Sequence, residues 1–361
     1  MTSSGQKPHG SAGRLAAPPF LASYAALAEP RIAAFLDARA AEAARLPVDL
    51  RAAFSALREY ALRGGKRLRG ALVVLGCEAA GGDGASVLDA SVGMELLHAY
   101  LLVHDDFMDR DEVRRGGPTV HAALERVTGS AHLGASLAVL LGSLCEAWAL
   151  ELVLGAKVPA ERTAAAGQLL ARALQDVTVG QMLDVSAPLG RDLSGDEVLA
   201  VQRLKTGGYS FELPLRLGAL LAGANAQILE ALEGFARPLG LAFQIADDLL
   251  GTFGSPEVTG KPNASDLREG KRTLLVARAL EAAAPRDAAL LRAGLGKPDL
   301  GEAEAAALRE VLVRSGAAQS CREDAERLRA EATRALDGAA LPAPVAQALR
   351  DIADYTVRRA A

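Results

Sequence analysis

The sequence predicts an all-α protein folded as one domain, and three observations support this class. The 361 residues are 50% hydrophobic and 23% charged, so the chain can bury a large core, which excludes disordered and fibrous proteins. Only 4% of the residues are aromatic, and the dominant Ala, Leu, Arg and Glu are strong helix formers. From residue 24 to about residue 250, apolar residues recur at helical spacing.

The N-terminal two thirds are expected to form a short tail followed by helices. Residues 1–22 are predicted as a flexible tail, because they are rich in Gly, Ser and Pro and lack the apolar core of a secretory signal. We then expect roughly eight helices joined by short turns. Ser194 and Glu197 have capping-box spacing, and no strand–turn–strand pattern is evident. The predicted breaks fall at residues 62–65, 81–84, 116–118, 157–159, 188–195 and 223–225.

The C-terminal third begins with a long polar segment, residues 251–270. Long loops inside compact domains are usually functional, so we interpret it as a lid. Helix-forming residues then return, with a turn at 294–298 and no change of composition, so residues 23–361 are predicted as one domain. The longest uncharged apolar run, residues 133–145, is shorter than the ~20 residues that cross a bilayer. It predicts a buried core helix, and no membrane span is expected.

Charge and cysteine usage restrict the partners and the compartment. Forty basic and 44 acidic residues give a net charge of −4, so no overall positive field exists to attract nucleic acid. Cys77, Cys145 and Cys321 are odd in number and far apart. This pattern fits a reducing compartment, the cytoplasm, and excludes a disulfide framework or a zinc ribbon.

A cluster of aspartates follows an apolar run near residue 100. On a helix, Asp105, Asp106 and Asp109 fall within one arc of about 100°. Stacked like charges destabilise a bare helix by about 0.2–0.5 kcal/mol per pair. The cluster therefore predicts a bound cation.

A second acidic cluster repeats this arrangement. Gln244, Asp247 and Asp248 share one helical face after another apolar run. Carboxylates without neighbouring Cys or clustered His suit Mg²⁺, which proteins hold with one or two carboxylates plus substrate phosphates. One pair alone is more often a solvated acidic face, but two pairs beside apolar runs favour a metal site, because a buried charge needs a partner. If the two faces oppose each other, they can hold a diphosphate through shared metal ions.

Basic residues beside glycine supply the complementary charge. Four of only seven lysines lie in Gly-flanked motifs: Lys66, Lys205, Lys261 and Lys271. Glycine lets the backbone approach an anion, and ammonium provides a point charge for phosphate, although each lysine alone is equally compatible with a helix end. Arg114 and Arg115 follow the first acidic cluster and can bind phosphate bidentately. The basic run at 64–69 lacks the aromatics of a nucleic-acid site.

Five motifs in this order resemble the trans-isoprenyl diphosphate synthases of the polyprenyl synthetase family. The resemblance extends from residue 64 to about residue 275. The motifs are Gly-Gly-Lys-Arg-Leu-Arg at 64–69, His-Asp-Asp-x-x-Asp-x-Asp-x-x-Arg-Arg-Gly-x-Pro-Thr-x-His at 104–121, Gly-Gln-x-x-Asp at 180–184, Lys-Thr at 205–206 and Phe-Gln-x-x-Asp-Asp-x-x-Gly at 243–251.

The resemblance implies a helical bundle around a deep central cavity, assembled as a homodimer. In it, isopentenyl diphosphate would condense with an allylic diphosphate. The implied metal ligands, for three Mg²⁺ ions, are Asp105, Asp106, Asp109, Asp247 and Asp248, which form the catalytic set with Lys205. The implied contacts of the allylic diphosphate are Arg114, Lys205, Thr206, Gln244, Lys261 and Lys271. Those of isopentenyl diphosphate are Lys66, Arg69, His98 and Arg115.

The same resemblance bears on product length. Tyr100, five residues before Asp105, with the smaller Leu101 beside it, is similar to the pattern of geranylgeranyl (C20) synthases, in which an aromatic ring closes the cavity floor. Farnesyl (C15) and longer products stay open, as does a non-catalytic partner subunit. Gln181 and Asp184 are candidates to orient Lys205, or simply to pack helices. The sequence departs from the family at Ser143, Gly251 and Ser255, where Asp is common.

Overall fold

The computed structural model describes residues 16–186, 192–254 and 265–358, and it confirms the all-α class. A π-helical segment, Arg203–Glu212, joins α8 to α9, and a 3₁₀ turn, Gly84–Val87, precedes α4. The described helices are α1 (Pro19–Ala43), α2 (Arg51–Leu62), α3 (Leu68–Ala79), α4 (Leu88–Met108), α5 (Val120–Thr128), α6 (Ala131–Leu154), α7 (Ala160–Ser186), α8 (Gly195–Gln202), α9 (Leu213–Ala222), α10 (Ala226–Phe253), α11 (Ser265–Glu269), α12 (Leu274–Ala282), α13 (Pro285–Gly294), α14 (Glu302–Arg314), α15 (Ala317–Ala335) and α16 (Ala343–Arg358).

The predicted turns separate helices, and the structure differs from the prediction at three places. Ser194 and Glu197 form the predicted capping box of α8. The expected tail ended at residue 22, whereas α1 begins at Pro19, because proline suits the first turn of a helix and Leu21 is buried. An unexpected antiparallel pair joins β1 (Val113–Arg114) to β2 (Gly117–Pro118), and two-residue strands are too short to show alternation. Of the predicted lid, residues 251–253 and 265–269 are helical, and residues 255–264 lie outside the described part.

Close backbone contact holds α3 against α9 near the centre of the bundle. A Cβ added at Gly76 would lie 2.0 Å from the carbonyl oxygen of Leu215, and one at Gly218 would lie 1.8 Å from that of Val73. Only glycine permits this approach. It matters for function because α3 begins at Leu68, within the basic run at 64–69, and α9 directly follows the segment that carries Lys205.

We expect Gly218→Ala to lower the free energy of unfolding by about 1–3 kcal/mol, because the helices must move apart to admit the methyl group. The urea midpoint of the purified variant measures this loss. Gly208→Ala is the matched control, since its Cβ would meet the nearest atom at an ordinary 3.5 Å. Equal midpoints for Gly218→Ala and the wild type would contradict the tight packing.

Two apolar stretches, Gly84–Met108 and Ala131–Leu154, are long enough to cross a membrane by length and composition alone. The apolar window of the first is 67% buried inside the fold, as in a core helix, but that of the second is only 39% buried. The prediction that residues 133–145 are fully buried is therefore wrong. Helix α6 presents a surface stripe of Leu133, Leu140, Ala147 and Leu154 at seven-residue spacing, with Leu144 beside it.

Candidate active site

The end of α4 carries the first acidic cluster. Asp105 lies in its last turn and Asp109 is its C-cap residue. Acidic side chains there face the negative end of the helix dipole, so cations must compensate. Burial favours the neutral form of Asp105, but neighbouring cations, above all Lys205, keep its pKa below the usual value. Burial and the charge of Asp105 raise the pKa of Asp109 to about 6.

Lys205 reaches this cluster from the π-helical segment. Its Nζ lies 3.3 Å from Asp105 Oδ1 and donates to Asp184 Oδ2 at 2.6 Å. Burial lowers the pKa of Lys205, but Asp105 and Asp184 outweigh this effect and raise it, so the ammonium stays charged. Gln181 donates to Asp105 Oδ1 at 3.2 Å. Asp184 therefore contacts Lys205, and Gln181 contacts Asp105.

Asp106 is not placed as the predicted metal ligand. Its side chain is 1% exposed, and both oxygens are occupied. Tyr60 donates its hydroxyl to Oδ2 at 2.5 Å, and Arg114 Nε donates to Oδ1. The physical reason is helical geometry: a residue next to Asp105 is rotated by about 100°, which turns it into the helix interface.

On α10, the two aspartates of the second acidic cluster also differ in their burial and contacts. Asp248 is buried, and its oxygens accept hydrogen bonds from Gln202 Nε2 at 2.6 Å and Gln244 Nε2 at 2.8 Å. Burial, followed by the charge of Asp266, raises the pKa of Asp248 to about 8. Both oxygens of Asp248, a predicted metal ligand, thus contact glutamine side chains, one of them Gln244. Asp247 lies one residue earlier on α10 and is only partly buried.

Asp266, which sequence reasoning missed, adds a carboxylate from α11. A Cβ at Gly251 would lie 2.1 Å from its Oδ2, so the glycine that departs from the family pattern makes room for this side chain. The only signal in the sequence was an acidic residue shortly before Gly270-Lys271. Of the other departures, Ser143 donates to the Val139 carbonyl of its own helix, and Ser255 lies outside the described residues.

Lys271 connects the two acidic clusters. Its Nζ lies 3.6 Å from Asp109 Oδ2, 3.7 Å from Asp266 Oδ1 and 2.6 Å from Glu269 Oε2. Burial lowers the pKa of Lys271, but the surrounding carboxylates, Asp266 first, raise it well above its usual value. One ammonium group thus contacts Asp109 of the first cluster and Asp266, which lies beside Gly251 on the helix of the second cluster.

The residues on these two faces fit Mg²⁺. Asp109 Oδ2 is buried and accepts no hydrogen bond from the part of the chain that the structure describes. Within the same residues, no group of three or more His, Cys, Asp or Glu is arranged to hold a metal ion by itself. An open set of carboxylate oxygens is what Mg²⁺ uses when substrate phosphates and waters complete its octahedron.

The β-hairpin places Arg114 and Arg115 beside the first cluster. Arg63 fixes the hairpin by donating to the Pro118 carbonyl at 2.8 Å and the Arg114 carbonyl at 3.4 Å. Arg114 Nη2 lies 3.7 Å from Asp105 Oδ2. Arg115 donates to the Gly64 carbonyl at 2.9 Å, which joins the hairpin to the basic run at 64–69. Arg114 therefore contacts the first acidic cluster, whereas Arg115 contacts the basic run at 64–69.

A second group of basic side chains lies around Arg69 and His98. Arg69 Nη2 donates to Tyr209 Oη at 2.9 Å and to Ser210 Oγ at 2.7 Å, and its guanidinium stacks on the Tyr209 ring at 4.6 Å. Arg69 Nε and His98 Nδ1 are buried without a hydrogen-bond partner in the described structure. Burial, then the charge of Arg69, holds the pKa of His98 well below its usual value. Lys66 Nζ lies over the Tyr355 ring at 5.0 Å.

The remaining predicted site residues are less informative. Thr206 follows Lys205 in the π-helical segment, and Lys261 lies outside the described residues. Leu101 packs on an apolar cluster that includes Leu97 and Val177. Tyr100 packs on this cluster and on a neighbouring one, with its ring edge-on to His104 at 4.7 Å. Sequence reasoning also missed Tyr60, Gln202, Tyr209 and Ser210, for which no motif gave a signal.

Comparisons with known proteins identify the family of this chain. A family model described as polyprenyl synthetase matches residues 51–312. The (2E,6E)-farnesyl diphosphate synthase of Mycobacterium tuberculosis (strain ATCC 25618 / H37Rv) is 37% identical over 303 residues, covering 82% of this chain and 80% of that protein. The geranylgeranyl diphosphate synthase of Sulfolobus acidocaldarius is 32% identical over 299 residues, covering 82% of this chain and 87% of that protein.

Solved structures of known enzymes also resemble this chain in fold and sequence. The crystal structure of geranylgeranyl pyrophosphate synthase from Corynebacterium glutamicum, complexed with isoprenyl diphosphate and magnesium, is similar with a TM-score of 0.89 at 33% identity. The match covers 94% of this chain and 99% of that one. With motifs, fold and relatives in agreement, the chain belongs to the polyprenyl synthetase family and is a short-chain trans-prenyl diphosphate synthase.

Proposed function

We propose that this prenyltransferase uses Mg²⁺ to condense isopentenyl diphosphate with an allylic diphosphate, and that its main product is geranylgeranyl diphosphate. The observation that carries the proposal is Lys271, which contacts Asp109 on one acidic face and Asp266 on the other. Two acidic faces linked by one cation match the charge pattern of a site for metal ions and a diphosphate. Farnesyl diphosphate is the second candidate, since the M. tuberculosis relative is named for it.

The metal ligands that we propose are Asp105 and Asp109 on one face and Asp247 and Asp266 on the other, for three Mg²⁺ ions. When bound, Mg²⁺ supplies positive charge that stabilises the departing diphosphate. Lys205, Arg114 and Lys271 supply further positive charge from the chain itself, with Lys205 held in place by Asp184. These fixed cations need no reorganisation as negative charge develops on the leaving group.

The allylic cation left by ionisation needs an environment without water. Tyr100 and Leu101 lie on α4 before the acidic cluster and pack against apolar residues. Such surroundings exclude water that would otherwise trap the cation. We propose that the Tyr100 ring closes the floor of this cavity and thereby limits chain length.

The second basic site is proposed to hold isopentenyl diphosphate through Lys66, Arg69, His98 and Arg115. The unpartnered Arg69 Nε supports this role, since a buried donor lacking a hydrogen bond is costly without a ligand. The neutral imidazole favoured at His98 can still donate one hydrogen bond. The alkene then attacks the cation, and the proton lost in forming the new double bond passes to the released diphosphate, so no protein base is required.

A product assay tests the proposed function. Purified protein is incubated with Mg²⁺, isopentenyl diphosphate and, separately, the C5, C10 and C15 allylic diphosphates, and the dephosphorylated products are separated by chain length. We expect C20 from each primer, with no product when EDTA replaces Mg²⁺. A C15 end product would support the second candidate, and no elongation with any primer would contradict catalysis.

We further propose that two copies associate through the apolar stripe on α6. Its members repeat every seven residues, which is the spacing of a helix–helix seam, and Val179, Met182 and Leu183 expose apolar surface on the neighbouring α7. Exposed leucines in such a stripe favour association with a second apolar surface. A second copy of this chain presents that surface.

We expect Leu140→Glu to convert the protein from dimer to monomer, because it buries a carboxylate in the seam. Sedimentation velocity measures the change in mass. Leu27→Glu is the matched control, since Leu27 on α1 is 60% exposed and Leu140 is 61% exposed. A dimer that persists in Leu140→Glu, or that is lost equally in Leu27→Glu, would contradict this interface.

The enzyme is also proposed to be cytoplasmic, without a membrane span or a nucleic-acid partner. Cys77, Cys145 and Cys321 are buried free thiols, as in a reducing compartment. The two long apolar helices, α4 and α6, pack against one another. The net charge of −4 disfavours binding to a polyanion.

A further inference from the structure

We propose that the second aspartate of each pair is a buried anchor for a diphosphate-binding side chain, and that Tyr60 and Gln202 are positioning residues that hold these anchors. Asp106 would fix Arg114, and Asp248 would fix Gln244. The inference rests on the proposed function, since it assigns a role to residues around the proposed diphosphate site.

The first anchor joins two helices and the hairpin. Asp106 on α4 accepts from Tyr60 of α2 at 2.5 Å and from Arg114 Nε of the hairpin. Tyr60 is 5% exposed, and burial, followed by the charge of Asp106, raises its pKa, so the hydroxyl remains a donor. With Nε held, the Nη2 of Arg114 faces Asp105 at 3.7 Å. The same Nη2 lies 3.4 Å from Asp111 Oδ2, so the guanidinium has one edge on the buried anchor and one edge toward Asp105 and Asp111.

The second anchor repeats this arrangement on the opposite face. Asp248 accepts from Gln202 of α8 through Oδ2 at 2.6 Å and from Gln244 through Oδ1 at 2.8 Å. Gln202 is 9% exposed and precedes the π-helical segment that carries Lys205. Its amide thus ties the start of that segment to α10.

Helix geometry explains why the two adjacent aspartates of each pair have different roles. Residues next to one another on a helix point about 100° apart, so when the first aspartate faces the cavity the second faces a neighbouring helix. A metal ligand needs an oxygen lone pair that faces the ion at about 2.0–2.1 Å. Both oxygens of Asp106 and Asp248 instead accept hydrogen bonds from protein side chains.

The experiment compares Tyr60→Phe with Tyr24→Phe. Tyr24 is equally buried and donates to Ser91 Oγ at 2.9 Å, away from the acidic faces, so its variant removes a buried hydroxyl without touching an anchor. We expect Tyr60→Phe to raise the KM for the allylic diphosphate about tenfold, as for a lost hydrogen bond to a charged group. The KM for isopentenyl diphosphate should stay within about twofold of the wild-type value. Both KM values of Tyr24→Phe should also stay within about twofold of the wild-type values. Gln202→Met is expected to behave like Tyr60→Phe.

Equilibrium binding separates an anchor from a metal ligand. Inorganic pyrophosphate is titrated by calorimetry at several Mg²⁺ concentrations into the wild type, Asp106→Asn and Asp105→Asn. We expect Asp106→Asn to bind pyrophosphate more weakly at every Mg²⁺ concentration, with the Mg²⁺ half-saturation unchanged. Asp105→Asn should shift that half-saturation upward.

A coupling measurement completes the test. If Tyr60 acts only through Asp106, the double variant Tyr60→Phe/Asp106→Asn should bind pyrophosphate no more weakly than Asp106→Asn alone. Additive losses, an allylic KM in Tyr60→Phe equal to that of Tyr24→Phe, or a raised Mg²⁺ half-saturation in Asp106→Asn would each overturn the inference. A wild type that elongates no primer would instead refute the proposed function, so the two failures are distinguishable.

Discussion

Asp105→Ala is expected to abolish turnover, with kcat reduced by about 10³-fold or more. Asp105 is the proposed metal ligand that also contacts Lys205 at 3.3 Å and Arg114 at 3.7 Å. Its loss removes an oxygen ligand and the charge that orients both cations. Steady-state kinetics at saturating substrate concentrations measure the effect. The assay contains about 10 mM Mg²⁺, an excess that saturates even a weakened site.

Asp89→Ala is the control for this variant. Asp89 lies in the first turn of the same helix, with its side chain 70% exposed and paired to Arg31 at 3.4 Å. It should retain wild-type turnover, and both variants should keep the wild-type helical circular dichroism. If a folded Asp105→Ala retained more than about a tenth of the wild-type kcat, Asp105 would not be the ligand we propose.

Tyr100→Ala is expected to lengthen the main product beyond C20. Its ring packs edge-on to His104, and a Cβ added at Gly142 would lie 3.6 Å from Tyr100 Cδ2, so the ring fills the space between α4 and α6. Removing it deepens the cavity by most of a side chain, and the growing prenyl chain can extend into the space. Chromatography of the dephosphorylated products shows the change directly.

Tyr100→Phe is the matched control for product length. It keeps the ring and removes only the hydroxyl, so the product should stay at the wild-type length. If Tyr100→Ala makes the same product as the wild type, the ring is an ordinary packing residue, and the floor of the cavity lies elsewhere.

Most of the helical architecture was predictable because its signals are local. The turns at 62–65 and 223–225 appear where glycine interrupts the apolar period, and the Ser194–Glu197 capping box begins α8. The buried-helix prediction for residues 133–145 failed for a different reason. Composition cannot distinguish apolar surface that packs inside one chain from apolar surface that remains exposed, as at Leu140.

The candidate site was predictable as a set of residues, but their individual roles were not. The motif with Asp105, Asp106 and Asp109 pointed to the end of α4, yet nothing in the motif distinguishes the three carboxylates from one another. Tyr60 separates Asp106 from the others, and it reaches Asp106 across 46 positions of chain. Asp266 was missed because its relation to Gly251 exists only after α11 packs on α10.

By itself, the sequence determined the helical class, the two acidic clusters and the Gly-flanked lysines, because helix propensity, periodicity and motif spacing depend on residues near one another in the chain. Only the tertiary structure decided which carboxylates accept hydrogen bonds from neighbouring helices, that Lys271 contacts both Asp109 and Asp266 and that α6 exposes an apolar stripe. These features depend on how helices distant in sequence pack, and packing fixes which oxygens are buried by hydrogen bonds and which remain open to a ligand.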